Sequence, residues 1–256
     1  MNKLPEITLA FWIMKICATT LGETAGDLLA QTLNVGYAVS SMILISIFLI
    51  TLITQLFAKK HHPFLYWMVI LSTSTAGTTM SDYMDRTLGL GYATGSAILV
   101  TILVAIFTYW KWSGLPFEMA KIKTFRGETL YWIAILFSNT LGTALGDFIA
   151  DSSGLGFEGG ALLIGSLIAL VVAAKYFTKI PPVVLFWIAF VLTRPFGATM
   201  GDLLTKSPVK GGLGFGTAGS SLVLLAILVA FVTYAVYKHK EESNELEPVL
   251  GHEAIE

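Results

Sequence analysis

The chain has 256 residues, 55% of them hydrophobic and only 13% charged, with a mean hydropathy of +0.73. Apolar runs of about 20 residues recur along nearly all of it, which excludes an ordinary soluble domain and marks an integral membrane protein in contact with the lipid bilayer. A formal net charge of −1, with basic residues scattered over short loops, excludes a nucleic-acid partner, and the lone Cys17 excludes an intrachain disulfide framework or cysteine metal site.

The first predicted span, residues 6–32, has the early Lys3 of a signal peptide but runs into Glu23 and Asp27 without a cleavage site, so it is read as retained. Trp12 opens it, and Lys15, Thr19, Glu23 and Asp27 follow at four-residue steps with Gly22 and Gly26 beside them. Gly36-Tyr37 leads into an apolar span, 36–58, that ends in "AKKHHP". The third span, 64–86, begins again with a tryptophan, Trp67, and carries Ser74, Gly77, Thr78, Ser81 and Asp82 before Gly91-Tyr92 and the span 92–112. After the basic connection "KWSGLPFEMAKIKTFRGE", Trp132 opens 129–152 with Asn139, Gly142, Thr143, Gly146 and Asp147, and Gly156-Phe157 starts 157–177. The seventh span, 182–205, holds Trp187, Arg194, Gly197, Ala198, Gly201 and Asp202. An insertion in "KSPVKGG" delays Gly214-Phe215 by three residues before the last span, 217–238. The acidic end, 241–256, reads as a disordered cytoplasmic tail.

The odd spans obey one rule: ten residues after the Trp comes Gly, fourteen after comes a small residue, fifteen after comes Asp. The tryptophans are spaced 55, 65 and 55 residues apart, so the first half recurs 120 residues later. The expected fold class is an all-α integral membrane protein. Eight transmembrane helices would form four parallel two-helix repeats, in two duplicated halves, around a pseudo-symmetry axis along the membrane normal. The repeats, about 6–58, 64–112, 129–177 and 182–238, make one membrane domain over 1–240. Eleven of the 16 Lys and Arg residues fall with the N-terminus, the even-to-odd connections and the C-terminal "KHK", which predicts cytoplasmic termini.

This pattern resembles a bacterial family of membrane proteins built of four tandem repeats of unknown function, each with two transmembrane regions and a characteristic tryptophan. The resemblance covers residues 6 to 238. It implies the fold, the topology and a multi-pass place in the inner membrane, and it suggests divalent metal handling, with manganese first.

Positions 7, 11 and 15 after each Trp lie one helical turn apart and form a polar stripe. It reads Thr19, Glu23, Asp27; Ser74, Thr78, Asp82; Asn139, Thr143, Asp147; and Arg194, Ala198, Asp202. Facing lipid, each Asp near the bilayer centre would cost roughly 2.5 to 3.5 kcal/mol, so the stripes should face one another, with the small-xxx-small pairs letting the backbones approach. Asp27, Asp82, Asp147 and Asp202 with Glu23 offer hard oxygen ligands for a divalent cation, and Thr78, Asn139 and Thr143 offer neutral oxygens. Lys15 and Arg194 are the expected charge-balancing groups. At position 19, Gln31, Arg86, Asp151 and Lys206 read as solvated polar groups at the helix ends, with an outer vestibule formed by Asp85-Arg86 and Asp151 as the alternative, and the tryptophans read as interface anchors.

These observations favour a secondary transporter, an exporter of a hard divalent cation with manganese favoured, the cation being substrate and no further cofactor being expected. Like groups repeated four times argue against an enzyme. Two alternatives stand beside it: a proton-coupled transporter of a small organic or cationic solute, and a structural or regulatory membrane scaffold. Association into a homo-oligomer is left open.

Overall fold

The computed structural model describes residues 4–253, with side chains described to residue 237. Every regular element among the described residues is helical. The eight α-helices are α1 (Leu9–Asp27), α2 (Tyr37–Phe57), α3 (Pro63–Asp82), α4 (Tyr92–Trp112), α5 (Phe125–Asp147), α6 (Gly156–Phe177), α7 (Pro182–Thr205) and α8 (Thr217–Glu253). The expected tail over 241–256 falls outside the described side chains, and its backbone continues α8 to Glu253.

The starts of the odd helices repeat the doubling seen in the sequence. Thr8 and Thr124 cap α1 and α5, their hydroxyls accepting from the backbone N–H of Phe11 and Gly127, whereas α3 and α7 start on prolines whose missing N–H costs nothing there. The even helices start at glycines: Gly36, Gly91 and Gly216 precede α2, α4 and α8, and α6 begins on Gly156, all at φ between 69° and 79°, a left-handed conformation that favours glycine. A π-helical turn follows α1, α3 and α5 directly after the aspartate, at Leu28–Thr32, Tyr83–Thr87 and Phe148–Ser152, while α7 ends at Thr205 without one.

Among the described residues, six helices are long and apolar enough to cross a membrane: α2, α4, α5 with its π turn, α6, α7 and α8 over Thr217–Tyr237. α1 and α3 fall short because of what they carry: Lys15, Glu23 and Asp27 on α1, and seven Ser and Thr residues on α3. The packing explains why such sequences are tolerated. α1 packs on α3, α3 on α5, α5 on α7 and α7 back on α1, a closed inner ring, and each even helix lies against the odd helix that follows it, α8 returning to α1. The spanning windows of α5 and α7 are 67% and 61% buried, against 17% to 28% for α2, α4, α6 and α8. Polar side chains on inner helices thus meet one another, and the apolar outer faces, such as Met42, Ile50, Val104, Leu162 and Leu222, are left for lipid.

The glycines set the spacing of the ring by a rule that holds at every step. The position-10 glycine of one helix faces the position-7 residue of the next: Gly22 faces Ser74, Gly77 faces Asn139, Gly142 faces Arg194 and Gly197 faces Thr19. One turn on, Gly26, Gly146 and Gly201 face Thr78, Ala198 and Glu23. A Cβ on Gly22 would lie 2.5 Å from the Ser74 Cβ, so these contacts need a bare backbone, as the small-xxx-small pairs predict.

Candidate functional site

Equivalent positions on the inner helices build the interior in steps of four residues. Nearest the N-terminal ends of the odd helices, Phe11, Tyr66, Tyr131 and Phe186 each contact the tryptophan of the next helix around the ring. Centroids are 5.6 Å apart for Phe11–Trp67, 5.5 Å for Tyr66–Trp132, 6.0 Å for Tyr131–Trp187 and 5.8 Å for Phe186–Trp12. The tryptophans therefore knit helix to helix, and Trp67, Trp132 and Trp187 are buried, which corrects the reading of them as interface anchors. An indole with an aromatic neighbour gains packing that a headgroup contact lacks. The connection between α4 and α5 adds to this closure: Trp187 Nε1 donates to the Phe117 carbonyl at 3.2 Å, and Met119 and Ile122 are buried.

The next step holds Lys15, Ile70, Ile135 and Phe190, all fully buried. Lys15 does not balance a carboxylate. Its ammonium lies 4.0 Å over the Phe190 ring, makes no hydrogen bond, and has no ion-pair partner among the described residues.

Arg194 occupies the centre of the following two steps and is also fully buried. One amino group donates to Glu23 Oε2 at 3.1 Å and to the Thr19 carbonyl at 3.4 Å. The other donates to the hydroxyls of Thr78 at 2.5 Å and Thr143 at 2.7 Å and to the Ser74 carbonyl at 3.3 Å. Both threonine hydroxyls donate onward to Glu23 Oε2, each at 3.2 Å. A single guanidinium on α7 thereby ties α1, α3 and α5 together, and the small Ala198 at the matching position of α7 complements it. Asn139 lies apart from this knot: its amide donates to Ser74 Oγ at 3.3 Å and its Oδ1 accepts nothing. Of the expected neutral ligands, the structure therefore brings Thr78 and Thr143 to a carboxylate and leaves Asn139 a step away.

The four aspartates follow, all buried. Their counter-charges are position-19 residues, which sequence reasoning had assigned to solvent. Arg86 Nε pairs with Asp82 Oδ1 at 2.7 Å and its amino group with Asp147 Oδ2 at 3.0 Å. Lys206 Nζ lies 2.7 Å from Asp27 Oδ2 and 3.0 Å from Asp202 Oδ1. Each base pairs with the aspartate of its own helix and with that of the next helix around the ring. Gln31 donates to Asp27 Oδ1 at 2.5 Å, while Asp151 accepts from the Tyr92 hydroxyl at 3.3 Å. The signal was present in the sequence: position 19 is four residues past the aspartate, so it extends the same stripe by one turn.

Oxygens of Glu23, Asp27 and Asp202 come within 4.8 Å of one another, close enough to share one ion. Beside them lies a cavity of about 350 Å³ lined by Gln31, Arg86, Asp151, Phe157, Asp202, Lys206 and Lys210. Glu23 and the four aspartates bring five carboxylates together, held by three bases, Arg194, Arg86 and Lys206, while the buried ammonium of Lys15 lies further toward the aromatic end and Lys210 stands at the cavity wall.

Such a molecule is a membrane-like helical repeat protein with a buried carboxylate cluster. The family described as Repeat of Unknown Function (DUF347) matches residues 10–61, 65–115, 130–180 and 185–241, and the chain belongs to it. No curated protein and no solved structure matches the chain.

Proposed function

We propose that the protein is a secondary transporter of a hard divalent cation, manganese first. In this reading the eight helices all span an inner membrane as four parallel repeats about a pseudo-symmetry axis along its normal, with cytoplasmic termini. The observation that carries it is the convergence of three buried carboxylates, Glu23, Asp27 and Asp202, with oxygens within 4.8 Å of one another beside a cavity. Repulsion among buried carboxylates is relieved by one divalent cation or by two protons, so cation and proton occupancy exclude one another. That exclusion is the thermodynamic core of exchange. Oxygen-only ligands select manganese, magnesium or calcium over zinc and copper. On the other side of the Glu23–Arg194 pair, the Lys15 and aromatic steps are closely packed. A cavity on one side and a seal on the other describe one end state of an alternating cycle: the releasing state of an exporter, or the loading state of an importer. No catalytic role is assigned to any residue.

A second reading has its own support. The ammonium of Lys206 between Asp27 and Asp202 shows that these carboxylates accept a primary amine, the chemistry of a small organic cation. One experiment separates the two: cellular manganese, magnesium and calcium are measured in a host strain with and without the protein, and with Asp27→Asn and Asp202→Asn. The metal reading expects wild-type expression to change the content or tolerance of at least one of these ions, and either substitution to abolish the change. Unchanged metals with wild type would end that reading and leave the organic cation.

A further inference from the structure

The two bridged carboxylate pairs are not equivalent, and the difference shows where a substrate cation would bind. Arg86 holds Asp82 and Asp147 through two different nitrogens of a rigid fork, with its guanidinium carbon 5.5 Å from the Tyr92 ring centroid. Lys206 serves Asp27 and Asp202 with one nitrogen on a flexible stem. In each pair one contact is an ion pair out of hydrogen-bond alignment, since Asp82 Oδ1 and Asp202 Oδ1 are both buried and accept no hydrogen bond, but of these two aspartates it is Asp202 that lines the cavity. A third carboxylate, Glu23, converges on the Lys206 pair, whereas the position-11 threonines of α3 and α5 are engaged with Arg194 and Glu23. The supporting backbone differs as well. Arg86 is set within a π-helical turn, but Lys206 caps the end of α7, where the chain leaves the helix in an extended conformation.

We propose that Lys206 is a tethered stand-in for the substrate. Its ammonium occupies the site formed by Glu23, Asp27 and Asp202, and a divalent cation binds there by displacing it into the cavity, while the Arg86 pair stays closed throughout. The proposal rests on the divalent-cation reading and assigns that substrate to one side of the ring. Tethering gives the ammonium an effective concentration on the order of millimolar. A monovalent ion gains too little to exchange with it, whereas a divalent ion that gathers three carboxylates gains enough. The lysine thereby acts as a filter for charge, and as the internal cation that resets the site after release.

The test uses the purified full-length protein in detergent and manganese chloride as the probe, with binding followed by calorimetry and Lys206 followed by amine acylation and mass spectrometry. Wild type should bind manganese and acylate Lys206 at least several-fold faster with the metal present. Lys206→Gln should bind at least 10-fold tighter than wild type, Lys206→Arg at least 10-fold weaker, and Arg86→Lys within about threefold of wild type. Retention of the wild-type elution volume shows that each variant is folded. If wild type binds manganese but Lys206→Gln does not tighten binding and acylation does not change, the displacement is overturned and the divalent-cation reading survives. If neither wild type nor any variant binds manganese, magnesium or calcium, both are overturned.

Discussion

Arg194 and Glu23 are the most consequential pair of side chains in the interior, because removing either strands the other's charge away from water. Losing one partner of a buried pair costs about 3–5 kcal/mol, yet replacing both with apolar groups of similar size is often nearly neutral. Arg194→Met and Glu23→Leu should therefore each lower thermal stability strongly in detergent, and the double variant should recover most of the loss. Additive losses would show that the two side chains act independently. The stripe pattern marks Arg194 as a group that balances a carboxylate, but not which one: Glu23 lies 171 residues away and meets it only because α7 packs on α1. Arg86 and Lys206 are a different kind of omission. Both lie on the stripe, one four-residue step past an aspartate, but a charge near a helix end is usually solvated. What overrides that tendency is the desolvation of the aspartates, which need counter-charges within reach.

Helices were the most legible part of the chain. The Trp-to-Asp rule located the four inner helices, and the glycine-aromatic pairs located the starts of the outer ones, because both record backbone requirements that few residues meet. The π turns after α1, α3 and α5 were not legible, since the sequence there continues an ordinary helical pattern and the change lies only in hydrogen-bond register. Close approach is the requirement that the position-10 glycines record, and it is directly testable. Gly197 faces the Thr19 side chain and backbone, whereas Gly219, on the outer helix α8, has nothing within 4 Å of an added Cβ. Gly197→Leu should lose roughly 1–3 kcal/mol or more by overpacking and reduce the yield of monodisperse protein, while Gly219→Leu should behave as wild type in thermal unfolding and size exclusion. Equal tolerance at both positions would mean that the ring does not depend on backbone contact.

Across the assembled ring, polarity runs in one direction, from aromatic packing at the N-terminal ends of the odd helices to carboxylates and the cavity at their C-terminal ends. Joined to the distribution of Lys and Arg, this predicts which end meets which compartment. The native Cys17 is buried, so a cysteine introduced elsewhere can be read against a low background. Lys210 lines the cavity, and Lys121 is exposed in the connection between α4 and α5, near the aromatic end. In spheroplasts, a membrane-impermeant maleimide should label Lys210→Cys without permeabilisation and Lys121→Cys only after it. The reverse pattern would invert the topology and place the cavity on the cytoplasmic side, turning the proposed releasing state of an exporter into a loading state. Labelling of both positions in sealed spheroplasts would instead mean that the aromatic end does not face the cytoplasm and that the ring does not separate two compartments as the charge distribution requires.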